Sequence, residues 1–409
     1  MSVLVAILGL AFLILIHEAG HFFTALAVGM RPRSFNIGFG PPLAKVRRGG
    51  IDYAVRAFPL GGYVKIPGMH RPAPQDVDIH FGRALRESPE LVGPTERLKR
   101  ALSAGDADAA RAALAEIDRS CGEQGVPPGV DKGIQEILDG LSAQAYWRQR
   151  TWKRVAAILA GPATNLAFAI LLFAIVFMVA GGRATTTVQR IVPGHDLARG
   201  LRLAPAAQAG LRPGDRVLAI NGEAVTASQI TERISSSKGR PLTLAVLRGR
   251  EVVILEPVRP IEVEPGVYRL GFQLHAEPLG LGAAAWKALR TTGVVARETA
   301  VTLAGIFHKK ERQQIGGTVS IFRASKDAAQ VGWASYLGVL GFISLSLALL
   351  NLLPLLPLDG GHIAFSLLEG IRGRAIAREI YERVSAVGIA VVLLLFFVGL
   401  SNDVGRLGG

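Results

Sequence analysis

A polytopic α-helical membrane protein is what this sequence predicts: about four transmembrane helices, a membrane-associated β-hairpin or sheet, and one β-rich domain outside the membrane. Three observations point there. Half of the 409 residues are apolar and the mean hydropathy is positive, high for one soluble globule. Four segments, at about 2–29, 155–180, 336–358 and 384–400, are long and apolar enough to span or nearly span a bilayer. The 46 Lys and Arg outnumber the 32 Asp and Glu, for a net charge of +14, and the basic residues sit beside the spans.

That placement suits membrane lipids with anionic head groups and argues against nucleic acid as the partner. It also orients the chain. Arg31, Arg33, Lys45, Arg47 and Arg48 follow the first span, Arg148, Arg150, Lys153 and Arg154 precede the second, and Arg372, Arg374, Arg378 and Arg383 separate the last two. Both loops should face the cytoplasm, leaving the N-terminus, the 182–334 segment and the C-terminal tail outside. Cys121 is the single cysteine, so no internal disulfide framework exists.

Taken in order, residues 1–30 form the first span. It has no basic stretch before it and no small-residue cleavage motif, so a retained span is expected and not a signal peptide. Residues 31–69 hold short alternating runs about Gly49-Gly50, a hairpin signal, with Gly61-Gly62 breaking a further strand. Next to a span, such a sheet can sink partly into the membrane face if its backbone stays paired. Residues 70–148 read as a helical cytoplasmic insertion, with Leu98, Leu102, Ala109, Ala113, Leu114 and Ile117 at helical spacing. Asp106 or Asp108 is its N-cap, and a Gly125–Pro127–Pro128 break precedes a second helix. No chemistry is visible in it. Residues 149–182 carry the second span.

Residues 183–262 combine a short helix, strands, an Asn221-Gly222 hairpin turn and a helix over 227–239. This pattern resembles a PDZ domain in the arrangement common in bacterial proteases, which implies a groove for an extended peptide, with a non-binding spacer as the alternative. Residues 263–334 hold a connector and an amphipathic helix over 283–308, expected on the outer membrane surface or against its neighbouring domain. Residues 335–362 form the third transmembrane segment, and 363–409 a cytoplasmic loop and the fourth.

The chemistry lies in the opening span. His17-Glu18-Ala19-Gly20-His21 is H-E-x-x-H. Positions i and i+4 share a helix face, so both imidazoles reach one ion, while Glu18 is offset and can meet a water at the metal without ligating it. Polar contact between helices is the alternative. Against it, an uncompensated carboxylate at bilayer depth costs about 2.5–3.5 kcal/mol or more, which a dication offsets. A catalytic zinc takes three protein ligands and keeps a fourth position open. Asp359 in "NLLPLLPLDGGH" (351–362) is the only acid of its apolar stretch, with His362 its rival three residues on. Asp359 is preferred because Pro354, Pro357 and Gly360-Gly361 break the helix around it, and irregular backbone at this depth is tolerated only against protein or a cavity.

H-E-x-x-H in the first span, Gly161-Pro162-Ala163-Thr164-Asn165 in the second, a PDZ-like domain and N-x-x-P-x-x-P-L-D-G-G at 351–361 in the third resemble the site-2 protease family of intramembrane zinc metalloproteases. The nearest branch is that of the bacterial regulator of sigma-E protease. The resemblance covers all four spans, with two departures. The enterobacterial member has two PDZ domains against one here, and the insertion at 70–145 is outside its pattern.

The resemblance implies that His17, His21 and Asp359 hold Zn2+ and that Glu18 is the general base. It implies contact of Asn165 with the substrate backbone or oxyanion, with interhelical hydrogen bonding as the alternative. It places Asn351 and Pro354 in the same pocket, with helix breaking as the alternative. An edge strand from 34–66 carrying Gly61 and Gly62 would hold the unwound substrate extended by main-chain pairing. The implied partners are single-pass membrane proteins such as anti-sigma factors, already trimmed outside, and peptide termini or ectodomains at the PDZ-like domain. The implied location is the bacterial inner membrane, multi-pass, with the active site toward the cytoplasm and the PDZ-like domain outside. The rival reading, a catalytically inactive PDZ-bearing membrane adaptor, does not explain an intact Glu18. A transporter would need an ionisable trail across the membrane, and 384–400 holds no charged residue.

Overall fold

The computed structural model describes residues 2–124, 129–192, 194, 203–264, 266–304, 317–376 and 378–408. The expected Gly125–Pro127–Pro128 break and the last residues of the helix expected over 283–308 lie outside them. The chain divides into a unit of Met1–Ala169 with Thr292–Gly409 and a unit of Ile170–Thr291.

The first unit opens with α1 (Ser2–Ala27), an almost wholly apolar helix. Two long strands follow, β1 (Ser34–Arg48) and β2 (Ile51–Lys65). They reverse at Gly49-Gly50, whose φ of 59° and 78° is the two-residue turn the sequence suggested. Both strands bend. Residues 34–37 pair with 52–55 and also with 62–65, while 44–48 pair with 51–55 on the other side. The segment 62–65 is therefore an edge, and Leu43, Val46 and Phe58 are exposed on the outer part of the sheet.

The insertion is helical: α2 (Pro74–Phe81), α3 (Ala84–Glu87), α4 (Val92–Ala104), α5 (Ala107–Gln124) and α6 (Val130–Leu141). It has its own core, in which Phe81, Leu91, Leu98, Leu114, Ile117 and Ile137 are fully buried. Asp106 caps α5 by accepting from the Asp108 and Ala109 N–H groups. Ala110, not Ala109, faces the core. Leu98, Leu102, Ala113, Leu114 and Ile117 are buried as their spacing suggested, so only this one position differs.

α7 (Thr151–Val179) is the second long apolar helix. It meets α1 through small residues: a Cβ on Gly20 would lie 2.5 Å from the Ala160 carbonyl oxygen. In the second unit, β3 (Arg183–Ile191), β4 (Arg216–Ile220), β5 (Glu223–Ala224), β6 (Leu244–Arg248), β7 (Glu251–Ile254) and β10 (Phe272–Glu277) form a sheet ordered β10-β3-β4-β6-β7, with β5 on β4. A small pair, β8 (Ile261–Glu264) and β9 (Val267–Arg269), lies apart from it. The sheet thus runs past residue 262. Asn221 and Gly222 take positive φ at the β4–β5 turn, as their pairing in the sequence suggested. Two short helices, α8 (Pro205–Gln208) and α9 (Ala227–Ser236), pack on a core of Val217, Ile220, Ile230, Leu244 and Val246. α10 (Leu281–Ala304) crosses back to the first unit.

Asp215 ties this domain together. Arg248 donates to both carboxylate oxygens at 2.9 and 2.7 Å, and the Arg212 N–H adds a third bond. The Arg248 guanidinium holds the Asp215 carboxyl below the ordinary carboxylate range. A depressed folded-state value contributes stability that is present above the unfolded value of about 3.9 and is lost as pH falls through the folded one. Asp215→Asn therefore lowers the thermal midpoint of this domain at pH 7, and the gap to wild type narrows at pH 3. Calorimetry at the two pH values checks this, and a constant gap would contradict it.

The first unit resumes with α11 (Thr318–Val331), α12 (Trp333–Asn351), α13 (Asp359–Arg372) and α14 (Arg378–Gly408). The third apolar helix stops at Asn351, short of the expected 358. Pro354 and Pro357 have no N–H to continue the ladder, and the chain reverses before α13 begins. Tyr336 on α12 donates to the Val5 carbonyl at 2.6 Å. Among the described residues, four helices, within Leu4–Ala27, Thr151–Val179, Trp333–Asn351 and Glu379–Gly405, are long and apolar enough to cross a membrane.

Candidate metal centre

α1 carries His17 and His21 one turn apart, both buried. The reversal after α12 brings Asp359, the first residue of α13, against them. Asp359 Oδ2 lies 3.2 Å from His17 Nε2 and 3.4 Å from His21 Nε2, and the two nitrogens are 3.2 Å apart. Among the described residues, this is the group of His, Cys, Asp and Glu side chains whose ligand atoms converge within 4.8 Å. Four-coordinate zinc with bonds of 2.0–2.2 Å spaces its ligand atoms about 3.3–3.5 Å apart, so the triangle has the size of one tetrahedral face. Asp359 Oδ2 is moreover a buried atom with no hydrogen-bond partner. Three such atoms facing one point, one of them orphaned, fit a dication.

The imidazoles are oriented from behind. His21 Nδ1–H donates to the Ala157 carbonyl of α7 at 2.9 Å, which leaves the Nε2 lone pair toward the centre. Asn165, fully buried, sets its side-chain amide 3.3 Å from His17 Nδ1. Asp359 is held through its helix. Arg154 of α7 pairs with Glu369 at 2.5 Å, and the Tyr146 hydroxyl shares a 2.9 Å hydrogen bond with Ser366. Burial pushes the Tyr146 phenol up to about 12, so it stays protonated at neutral pH. Gly360 and Gly361 let α13 start flush against the reversal; a Cβ on Gly361 would lie 2.5 Å from the Leu356 nitrogen.

Glu18, half-buried, stands beside the three ligand-type residues without joining their cluster. A Cβ on Gly62 would come 2.9 Å from Glu18 Cγ. Gly61 faces the Phe39 ring. The structure therefore brings Glu18, Gly62 and the edge of β2 together. It does not bring in His362, whose Nδ1 is 2.7 Å from the Tyr381 hydroxyl and which lines a separate cavity of about 410 Å³. Asn351 ends α12 and makes no side-chain hydrogen bond among the described residues, and Pro354 is exposed.

Two contributors escaped the sequence reading. The Ala157 carbonyl is backbone and carries no sequence signal. Gly161 belonged to the quoted second-span motif, and its role is now visible: a Cβ there would overlap His21 Nε2. Gly161→Ala is accordingly expected to displace the imidazole and weaken zinc binding about 10–100-fold. Competition against a zinc chelator measures this, and an unchanged affinity would refute the close approach.

The chain resembles known proteins along nearly its whole length. It is 28% identical over 422 residues to the Agrobacterium fabrum protein Atu1380, which carries a zinc metalloprotease name, covering 98% of this chain and 95% of the relative. Zinc metalloprotease RasP of Bacillus licheniformis is 27% identical over 434 residues and 99% of both chains. The regulator of sigma-W protease RasP of Bacillus subtilis is 27% identical over 425 residues, 97% of this chain and 96% of its own. The sequence profile of peptidase family M50 matches residues 5–395, most of the length traced above, and the chain belongs to that family.

Proposed function

We infer that the chain is an intramembrane zinc metalloprotease that hydrolyses peptide bonds within or beside the transmembrane segments of single-pass membrane proteins, anti-sigma factors among them. The observation that carries this reading is the convergence of His17, His21 and Asp359 at ligand spacing with Glu18 beside them. The sigma-W regulator name of the Bacillus subtilis relative agrees with a role in regulated intramembrane proteolysis.

Zinc held by His17, His21 and Asp359 would supply a Lewis acid that acidifies a water and polarises the scissile carbonyl. Glu18 accepts the proton of the attacking water and delivers it to the leaving amine nitrogen, so that one C–N bond breaks and one water is consumed. Asn165 acts as a positioning residue. The two ends of its amide are alike in shape. With Oδ1 turned to accept from His17 Nδ1–H, the buried Oδ1 gains the partner it lacks and the His17 Nε2 lone pair is fixed toward the metal. The edge 62–65 pairs with the unwound substrate, where Gly62 already lies against Glu18.

The basic residues beside the spans favour the bacterial inner membrane, with the insertion and the metal site toward the cytoplasm and the β-rich domain outside. That domain is PDZ-like on this reading. A groove of about 500 Å³ runs between α9 and the edge strand β10, lined by Ile230, Ile234, Phe272 and Leu274, and suits an extended peptide terminus. The test of the whole reading is cleavage of a single-pass substrate by the purified protein in detergent. Activity should be lost on treatment with a zinc chelator and restored by zinc; cleavage that survives complete removal of the metal would sink it.

A further inference from the structure

The insertion, without chemistry of its own in the sequence, borders the site. A groove of about 580 Å³ separates the segment 63–66 from the helices α2 and α6. Tyr63, Val64 and Ile66 form its strand side, and Ile79, Glu136 and Ile137 its helical side.

Three observations bear on what occupies it. First, the groove continues from the reactive centre. Val64 lines it, and Gly62, two residues before Val64, is in contact range of the Glu18 side chain. Second, its strand side is an edge. Residues 62–65 pair with 34–37 on one side, and the Arg33 N–H donates to the Lys65 carbonyl at 2.7 Å from that side. Backbone groups of an antiparallel strand alternate in direction, so those of Val64 point the other way, to the free edge. Third, its helical side is fixed in place by ion pairs. Arg33 forms a two-pronged bond with Asp139, and Lys65 bonds Glu136 at 2.7 Å, with His80 on the other Glu136 oxygen at 3.3 Å. Between these walls Ile79 is 67% exposed, a large aliphatic side chain on a helix with a free stretch of strand opposite.

We propose that the insertion is the second wall of a substrate groove, and that Ile79 is a specificity-determining contact for an extended apolar stretch of the substrate flanking the scissile bond. A chain leaving the metal centre along the edge of β2 gains main-chain pairing from the strand and an apolar contact from α2. This makes the insertion a reader of the residues next to the cleavage point, a role separate from hydrolysis and from the β-rich domain. The inference rests on the protease reading above.

Purified full-length protein with Ile79→Arg, assayed on matched single-pass substrates that differ only in one flanking residue, Leu or Glu, tests it. The expected result is a KM raised about tenfold for the Leu substrate with kcat within about twofold, and a KM lowered for the Glu substrate. Scanning the Leu/Glu pair along both flanks finds the position that faces residue 79. A photo-cross-linker at position 79 in the Glu18→Gln protein should join that same position of the substrate. If Ile79→Arg shifts no substrate's KM, shifts both alike, or lowers kcat alone, the proposal is overturned. It is equally overturned if the cross-linker joins lipid or another part of this chain and never the substrate. Failure of the protease reading itself looks different: the wild type then cleaves no substrate, or Glu18→Gln cleaves as well as wild type.

Discussion

Glu18→Gln keeps the wild-type zinc content and lowers kcat by roughly 10²–10⁴-fold, the range lost when a positioned general base is removed. The amide keeps the size of the side chain and its contact with Gly62, but it cannot accept a proton from the attacking water. The three ligand-type side chains are His17, His21 and Asp359, and Glu18 is not among them, so metal content should be indifferent to the change. KM should move little, because on the proposed reading the strand edge, not this carboxylate, holds the substrate. Single-turnover cleavage in detergent with parallel metal analysis measures both quantities. Loss of zinc together with activity would make Glu18 a ligand, and retained activity would assign the base elsewhere.

Asp359→Ala empties the site, whereas His362→Ala leaves it filled. Removing a residue that merely orients a ligand already costs about 10–100-fold in affinity, so deleting one of three ligands costs more. The two residues are three apart and occupy the same first turn of α13, yet they point to different neighbours. Asp359 Oδ2 lies 3.2 Å from His17 Nε2, while His362 bonds Tyr381 and faces a cavity. Metal analysis of both purified variants separates them. Zinc lost from His362→Ala and kept by Asp359→Ala would show the third ligand to be misassigned.

The local parts of this arrangement are legible in the sequence. H-E-x-x-H puts two imidazoles on one helix face by helical geometry alone. Asp359 stands out as the single acid of an apolar stretch broken by Pro354 and Pro357. The turns at Gly49-Gly50 and Asn221-Gly222 are written in their own residues, since positive φ is what glycine and asparagine permit. What was not legible depends on distant partners. Nothing in 34–37 says that it pairs with both 52–55 and 62–65, because bends in long strands are set by what they pack against. Arg154 and Glu369 are ordinary charges until the fold places one on the other. The strand 272–277 reads as a connector because its partner, β3, lies some eighty residues upstream. Gly161 was visible as part of a motif, but its purpose, leaving space for His21, appears only when α1 and α7 are side by side.

The central claim is that one zinc sits among His17, His21 and Asp359 with Glu18 beside it. Anomalous diffraction recorded at the zinc edge from crystals of the wild-type protein tests it most directly. The account predicts a single peak about 2.0–2.2 Å from His17 Nε2, His21 Nε2 and an Asp359 carboxylate oxygen, with Glu18 outside bonding distance. A peak beside His362 and Tyr381, or one ligated by Glu18 with Asp359 turned away, would contradict it.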